Sequence, residues 1–256
     1  MKMKYKTLLY EKEGSVGTLT LNRPDSLNSI NDQMISELTD FWTLMQTENA
    51  IRVIILTGAG SRGFCAGGDL KEAGEKFSKQ GPDALTAYNM SQGLSNIIWL
   101  MRQSPQPIIA GVRGAATGGG FCMALAGDIR IITDTAKFCA SFINIGMSGG
   151  EMGSSYLFSR LIGLSRATEY LLTGDFLMAD EAHRIGFVSK IVTDEDLMPS
   201  CMDMAKKMAG KSVLGLRLTK QIINQGIAAS GLKEALLMES ANQTLCVMSG
   251  NLTTQM

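Results

Sequence analysis

Histidine is nearly missing from this chain: His183 is the only one in 256 residues, and the five cysteines (Cys65, Cys122, Cys139, Cys201, Cys246) include no Cys-x-x-Cys pair. A zinc site built from the usual His and Cys ligands has little material here, so no metal is expected. The odd cysteine count reads as reduced thiols in a cytoplasm. Net charge is also missing, with 24 Lys+Arg against 24 Asp+Glu, so the basic footprint that nucleic acid requires is absent. No apolar run approaches the roughly 18 residues of a membrane span. The basic start, Met1 to Lys6, leads into alternating residues rather than the apolar stretch of a secretory signal. The five prolines are scattered and no low-complexity linker interrupts the chain, which favours one large domain.

What is there is an α/β alternation. Residues 5–10 and 16–22 read as strands, and Met34, Leu38, Phe41, Trp42 and Met45 recur at helical spacing over 31–48. Ile51 to Thr57 is a largely apolar run rich in β-branched residues, broken by Arg52 near its start, as in a strand buried on both faces. The order repeats as a helix over 84–102, a strand at Pro107–Val112, a short helix near 119–127 and a strand at Ile129–Thr133. Such alternation implies right-handed crossovers and a mostly parallel sheet. From about residue 153 the pattern is almost all helix, broken by one strand at Phe187–Val192. The methionines of this last third (Met198, Met202, Met204, Met208, Met238, Met248) suit a core, with a subunit contact as the alternative.

Two glycine-rich turns carry the chemistry. Gly58-Ala59-Gly60-Ser61-Arg62-Gly63 has the spelling of a dinucleotide fingerprint, but Phe64-Cys65-Ala66-Gly67-Gly68 comes directly after it, where the fingerprint needs a helix. The acid at the right distance, Asp83, lies in Gly-Pro-Asp, a helix start. The second turn, Thr117-Gly118-Gly119-Gly120, comes after a strand and before the apolar segment Phe121–Ala126, which fits a buried helix. A helix N-terminus presents unpaired N–H groups and attracts developing negative charge. Three glycines merely permitting tight packing is the alternative for this turn alone. With the first turn ending in Ala66-Gly67-Gly68-Asp69, two backbone N–H groups could meet on one oxygen, which is an oxyanion hole.

Asn22-Arg23-Pro24 with Leu27-Asn28, Phe64 to Leu70, Gly118-Gly119-Gly120 with Asp128-Ile129-Arg130, Leu172-Thr173-Gly174, Glu181-Ala182 and Gly186-Phe187-Val188 occur in order along nearly the whole chain. That ordered set resembles the enoyl-CoA hydratase/isomerase (crotonase) superfamily. The resemblance implies a crotonase-like spiral of ββα repeats over residues 1–195, holding a CoA-thioester site. It implies a helical C-terminal region over 196–256, for packing and assembly into a homotrimer or a dimer of trimers. It further implies oxyanion donors at the N–H groups of Gly68 and Gly119, CoA along Ser26, Leu27 and Asn28 and near Ala66, Gly67, Asp69 and Leu70, and no cofactor other than the CoA of the substrate.

The chain departs from the family where proton transfer is concerned. The familiar hydratases use two glutamates, and the corresponding positions here are Cys122 and Phe142. A buried thiol is a poor base, so Cys122 reads as filler unless something ionises it. The carboxylate that remains is Glu151, in Gly146-Met147-Ser148-Gly149-Gly150-Glu151-Met152-Gly153. This segment is similar to the loop where dienoyl-CoA isomerases and some other enoyl-CoA isomerases place their acidic base, and is one residue longer. Glu151 reads as the proton carrier, with a loop glutamate capping the helix near Gly153 as the alternative. One base and one hole suffice to move a proton between two carbons, whereas adding water usually wants a second group, so the departure tilts toward double-bond isomerisation. Hydration at a non-standard site, and CoA binding without turnover, are the alternatives. Asp69 is expected to cap or brace its turn, Asp128 to be structural and His183 to lie on the surface. Lys206, Lys207 and Lys211 read as a solvated face, with CoA phosphates as the other possibility.

Overall fold

A computed structural model describes residues 4–81, 83–226 and 228–250. Strands β1 (Leu8–Glu13) and β2 (Val16–Leu21) pair antiparallel. The short turn after β2 feeds helix α1 (Asp32–Met45), which Asn31 caps by accepting from the Met34 N–H at 3.0 Å. Three strand pairs come next, β3 (Val53–Gly58) with β4 (Gly63–Cys65), β5 (Ile108–Val112) with β6 (Ala115–Thr117), and β7 (Ile129–Thr133) with β8 (Lys137–Cys139). The first strand of each pair joins a six-stranded sheet that ends in β10 (Lys190–Val192), ordered β1-β2-β3-β5-β7-β10, and the second joins a four-stranded sheet that ends in β9 (Leu177–Met178), ordered β4-β6-β8-β9. Helices α2 (Leu70–Gln80) and α3 (Ala84–Gln103) come after the first pair, and α4 (Gly119–Ala126) after the second. After β8 come α5 (Ser154–Ile162), α6 (Leu164–Thr173), β9 (Leu177–Met178), α7 (Ala179–Arg184) and β10 (Lys190–Val192). This is the expected spiral of ββα units, with β3, β5 and β7 parallel in one sheet and β4, β6 and β8 parallel in the other.

The period-2 geometry of β3 explains why its run is apolar throughout. Ile54 and Leu56 face the main core with α1, while Val53 and Ile55 face the opposite layer, where Leu197, Cys201 and Ala205 of α8 (Leu197–Ala209) cover the sheet. Met198, Met202, Met204 and Met208 pack around that second layer. The tail ends in α9 (Val213–Gly226) and α10 (Leu232–Met248). Among the described residues no helix is long and apolar enough to cross a membrane, and all five cysteines are free, four of them buried.

Helix α4 matters most for the site. Every residue of it is buried, so it is apolar all round. Its C-terminal carbonyls are met by two cations: Arg130 donates to the carbonyls of Ala124, Leu125 and Gly127, and Arg102 to that of Ala126. Arg130 is fully buried, and burial pulls its guanidinium down to about 10. With its negative end satisfied this way, α4 leaves its positive N-terminal end as the free pole.

Three differences from the sequence expectations stand out. Strand β1 begins at Leu8 rather than at residue 5, because most of its residues face solvent and give no apolar signal. Phe187 and Val188 are buried loop residues, so the strand expected at 187–192 shrinks to Lys190–Val192. Three strands of three residues (β4, β6, β8) escape sequence reading because they are too short to show a period.

Candidate active site

Because β4 and β6 are adjacent and parallel, the turns after them emerge side by side at one edge of the small sheet, the carboxyl-end position where α/β sheets gather their ligands. The first turn, Ala66-Gly67-Gly68-Asp69, is pinned to the segment before α1. Ala66 N–H donates to the Leu27 carbonyl at 2.9 Å, Ile30 N–H to Gly67 O at 2.7 Å, and Asp69 N–H to Ile30 O at 2.9 Å. Ile30 and Gly68 therefore form a parallel bridge. In that pairing the flanking residues bond Ile30, and the N–H of Gly68 points to the other side. The second turn, Thr117-Gly118-Gly119, starts α4, and the Gly119 N–H is among the first-turn donors that have no helical carbonyl to meet.

The two turns touch. A β-carbon on Gly67 would lie 2.8 Å from Thr117 O and 3.2 Å from Gly119 N, and Thr117 Oγ1 donates to the Ala66 carbonyl at 2.9 Å. Gly120 makes the closest approach, since a methyl there would sit 2.2 Å from the Cys65 carbonyl oxygen. The two turns that carry Gly68 and Gly119, the positions expected as oxyanion donors, are thus held backbone to backbone through Gly67 and Gly120.

Glu151 comes to the same place from the other side. Met152, the next residue, has φ 50° and is buried, and its Sδ and Cε lie 3.3 and 3.5 Å from where a β-carbon on Gly119 would stand. The Cys122 thiol, one turn into α4, donates to the Glu151 carbonyl at 3.5 Å. The Glu151 side chain is half-buried, and its Oε1 accepts from the Ser91 hydroxyl of α3 at 2.6 Å. It does not cap α5: that helix has Gly153 at its N-cap, and only the main chain of Glu151 meets Ser154. Burial first, and then the neighbouring Glu151 charge, raise the Cys122 thiol far above its ordinary range, which keeps it a neutral donor. Phe142 comes after β8, and its ring edge is 3.7 Å from a β-carbon placed on Gly118. A phenyl ring edge and a buried thiol therefore stand at Phe142 and Cys122, the positions that the family resemblance pairs with the hydratase carboxylates.

Not every named residue offers a side chain to a ligand. Asn28 is fully buried at φ 55°. Its amide donates to the carbonyls of Ala59, Gly63 and Phe64, and its Oδ1 accepts from Arg23 N–H. Leu27 and Ser26 are exposed beside it. A small cavity of about 210 Å³ lies between Pro24, Asp25, Leu27 and the turn Ala59–Gly63. Asp69 caps α2 by accepting from Glu72 N–H at 3.2 Å, and it pairs with Arg23 at 2.9 Å. Asp128 joins Arg102 at 3.1 Å and Lys220 at 2.9 Å. His183 is exposed on α7, and Lys206 pairs with Glu13 at 2.7 Å. A cavity of about 550 Å³, lined by Asp128, Arg130, Leu157 and Lys220 among others, opens at the C-terminal end of α4, away from the glycine turns.

The Asp69 carboxyl ties stability to pH. Burial disfavours its charge, but hydrogen bonds from Arg23, Glu72 N–H and Ser29 outweigh that and hold the carboxyl below the ordinary aspartate range. A depressed folded value stabilises the fold fully above the unfolded value of about 3.9, and the contribution fades as pH falls through the folded value. The melting temperature is therefore expected to drop below about pH 4 by less in Asp69→Asn than in the wild type, as read by calorimetry across pH 2.5–6.

Sequence reasoning missed Ser91 and Ile30. Ser91 is 60 residues from its partner, and nothing in its helical neighbours marks it. Arg23 stands in its motif, but its pairing with Asp69 becomes visible only in the fold.

A spiral of ββα units with two glycine turns set side by side at one edge of the small sheet defines a crotonase-type fold. Known proteins agree: the family model described as enoyl-CoA hydratase/isomerase matches residues 11–250. The chain belongs to that family. The probable enoyl-CoA hydratase EchA12 of Mycobacterium tuberculosis (strain ATCC 25618 / H37Rv) is 41% identical over 229 residues, 89% of this chain and 80% of that protein. The 1,2-epoxyphenylacetyl-CoA isomerase of Escherichia coli K12 is 36% identical over 217 residues, covering 85% of this chain and 81% of that one. Among solved structures, a putative enoyl-CoA hydratase from Streptomyces coelicolor A3(2) superposes with a TM-score of 0.90 at 31% identity, over 96% of this chain and 88% of that one.

Proposed function

We propose that the protein isomerises the double bond of an enoyl-CoA thioester, with the N–H groups of Gly68 and Gly119 holding the thioester oxygen and Glu151 carrying the proton. The observation behind this reading is that the main chain of Glu151 and Met152 lies against the first turn of α4, while the two hydratase glutamate positions hold a neutral thiol and a phenyl ring. In the reaction Glu151 removes a proton from the carbon beside the thioester of a 3-enoyl substrate. The electron pair moves onto the thioester oxygen to give a dienolate, which the two N–H groups stabilise. Protonated Glu151 returns the proton two carbons further on, giving the 2-enoyl isomer with no net gain or loss of atoms. The CoA lies along Ser26–Asn28 and Ala66–Leu70, with the buried Asn28 holding the strand ends that shape this segment rather than touching the ligand. CoA is part of the substrate, and no metal or redox group takes part. The enzyme works as a homotrimer or a pair of trimers, for which the apolar, exposed Leu232, Leu236, Leu237 and Met248 of α10 provide contact surface. Hydration at a non-standard site is the second reading, favoured by the name of the 41% identical relative.

The deciding experiment supplies 2-enoyl-CoA and 3-enoyl-CoA separately in deuterated water and tracks mass and regiochemistry. Interconversion of the two without gain of water is the expected result. Gain of the mass of water from the 2-enoyl substrate would replace isomerisation with hydration.

A further inference from the structure

A general base on a loop is only as good as the groups that hold it, and the hold on Glu151 has two parts. Its main chain is clamped: the N–H donates to Ser154 Oγ at 3.1 Å, and the carbonyl accepts from Ser154 N–H at 3.0 Å and from the Cys122 thiol at 3.5 Å. The left-handed backbone of Met152, costly for a residue with a side chain, fixes the direction in which the chain leaves. None of these contacts settles where the carboxylate points. Among the described residues the Ser91 hydroxyl is the one hydrogen-bond donor to that carboxylate, at 2.6 Å from Oε1, a length typical of a charge-assisted O–H···O⁻ bond. Serine within a helix ordinarily turns its hydroxyl back to the carbonyl four residues earlier. Ser91 instead reaches from α3 to a loop 60 residues away.

We infer that Ser91 is a positioning residue for proton transfer: its hydroxyl holds Oε1 of Glu151 and thereby presents Oε2 to the acyl chain. The inference rests on the reading of Glu151 as proton carrier. It assigns α3 a part in the reaction, and it gives the Cys122 position a new use. The residue in the place of a hydratase acid serves here to hold the main chain of the neighbouring loop that carries the carboxylate.

The test is steady-state kinetics on Ser91→Ala and Ser91→Thr beside Glu151→Gln, with the enoyl-CoA substrate and the full chain. Ser91→Ala removes the hydroxyl at an intermediate position of a helix, where alanine is well tolerated, so the melting temperature is expected to hold. Its kcat is expected to fall roughly tenfold to a hundredfold, the range for losing a hydrogen bond to a charged group. KM should stay within about twofold, and Ser91→Thr, which restores the hydroxyl, should recover most of the rate. A Ser91→Ala enzyme as fast as wild type, alongside an inactive Glu151→Gln, would overturn the positioning role and leave Glu151 standing. Loss of rate in both Ser91 variants would also overturn it, because the hydroxyl would not be what matters. An active Glu151→Gln would remove the underlying reading instead.

Discussion

Glu151→Gln is expected to slow isomerisation roughly 100- to 10,000-fold, the range lost when a positioned acid–base group is removed. Glutamine keeps the length and shape of the side chain, and its amide oxygen can still accept from Ser91, but it cannot take up a proton and give it back. The N–H groups of Gly68 and Gly119 are untouched by the change, so thioester binding is expected to remain, and the loss should fall on kcat with KM nearly constant. That pattern marks an interaction needed in the transition state rather than in binding. Deuterium exchange at the carbon beside the thioester gives a second reading of the same step. It is expected to stop in the mutant, because forming the enolate requires the base even when no product leaves. A Glu151→Gln enzyme within a few-fold of wild type would remove Glu151 from the reaction. Cys122 offers no reserve, since burial alone, the larger of the influences on it, still holds its thiol neutral once the Glu151 charge is gone.

The elements legible in the sequence are those with a period or a long apolar run. Helix α1 shows its buried face at Met34, Leu38, Phe41, Trp42 and Met45, and β3 shows burial on both faces as unbroken aliphatics. Strands β4, β6 and β8 were not legible, although they place the site, because three residues carry no pattern and their pairing is entirely non-local. At the turn Gly58–Gly63 the element after the motif decides its meaning: β4 comes next rather than a helix, so the phosphate-binding geometry that its spelling suggests does not form. The positions of the glycine turns were readable because few residues other than glycine permit such backbone contact. The partner of the Glu151 side chain was not, because a serine on an ordinary helix becomes informative only once folding has brought α3 beside the loop. Asn28 shows the converse: a residue marked for its place in a binding segment turns out to have its amide fully engaged inside the fold.

Gly67→Ala is expected to lower kcat/KM roughly 100- to 1,000-fold, the usual cost of losing one oxyanion donor, and to destabilise the fold by about 1–3 kcal/mol. Two effects act together. Gly67 has φ 91°, a backbone conformation that side chains oppose. Its added methyl would also meet Thr117 O at 2.8 Å, Gly119 N at 3.2 Å and Gly118 Cα at 3.3 Å. All three are backbone atoms of the facing turn, so no side chain can swing aside, and the two turns must move apart. An oxyanion hole tolerates little of that, because both N–H groups have to reach one oxygen at hydrogen-bond distance. Gly68→Ala supplies the control one residue away: φ there is not positive, and nothing lies within 4 Å of the added methyl, so its melting temperature is expected to match wild type. Measuring both variants by thermal melts and by kinetics well below the melting point separates stability from rate. A Gly67→Ala enzyme that stays folded and keeps its rate within a few-fold would show that the spacing of these two turns does not set the chemistry, and the hole would have to be sought elsewhere in the fold.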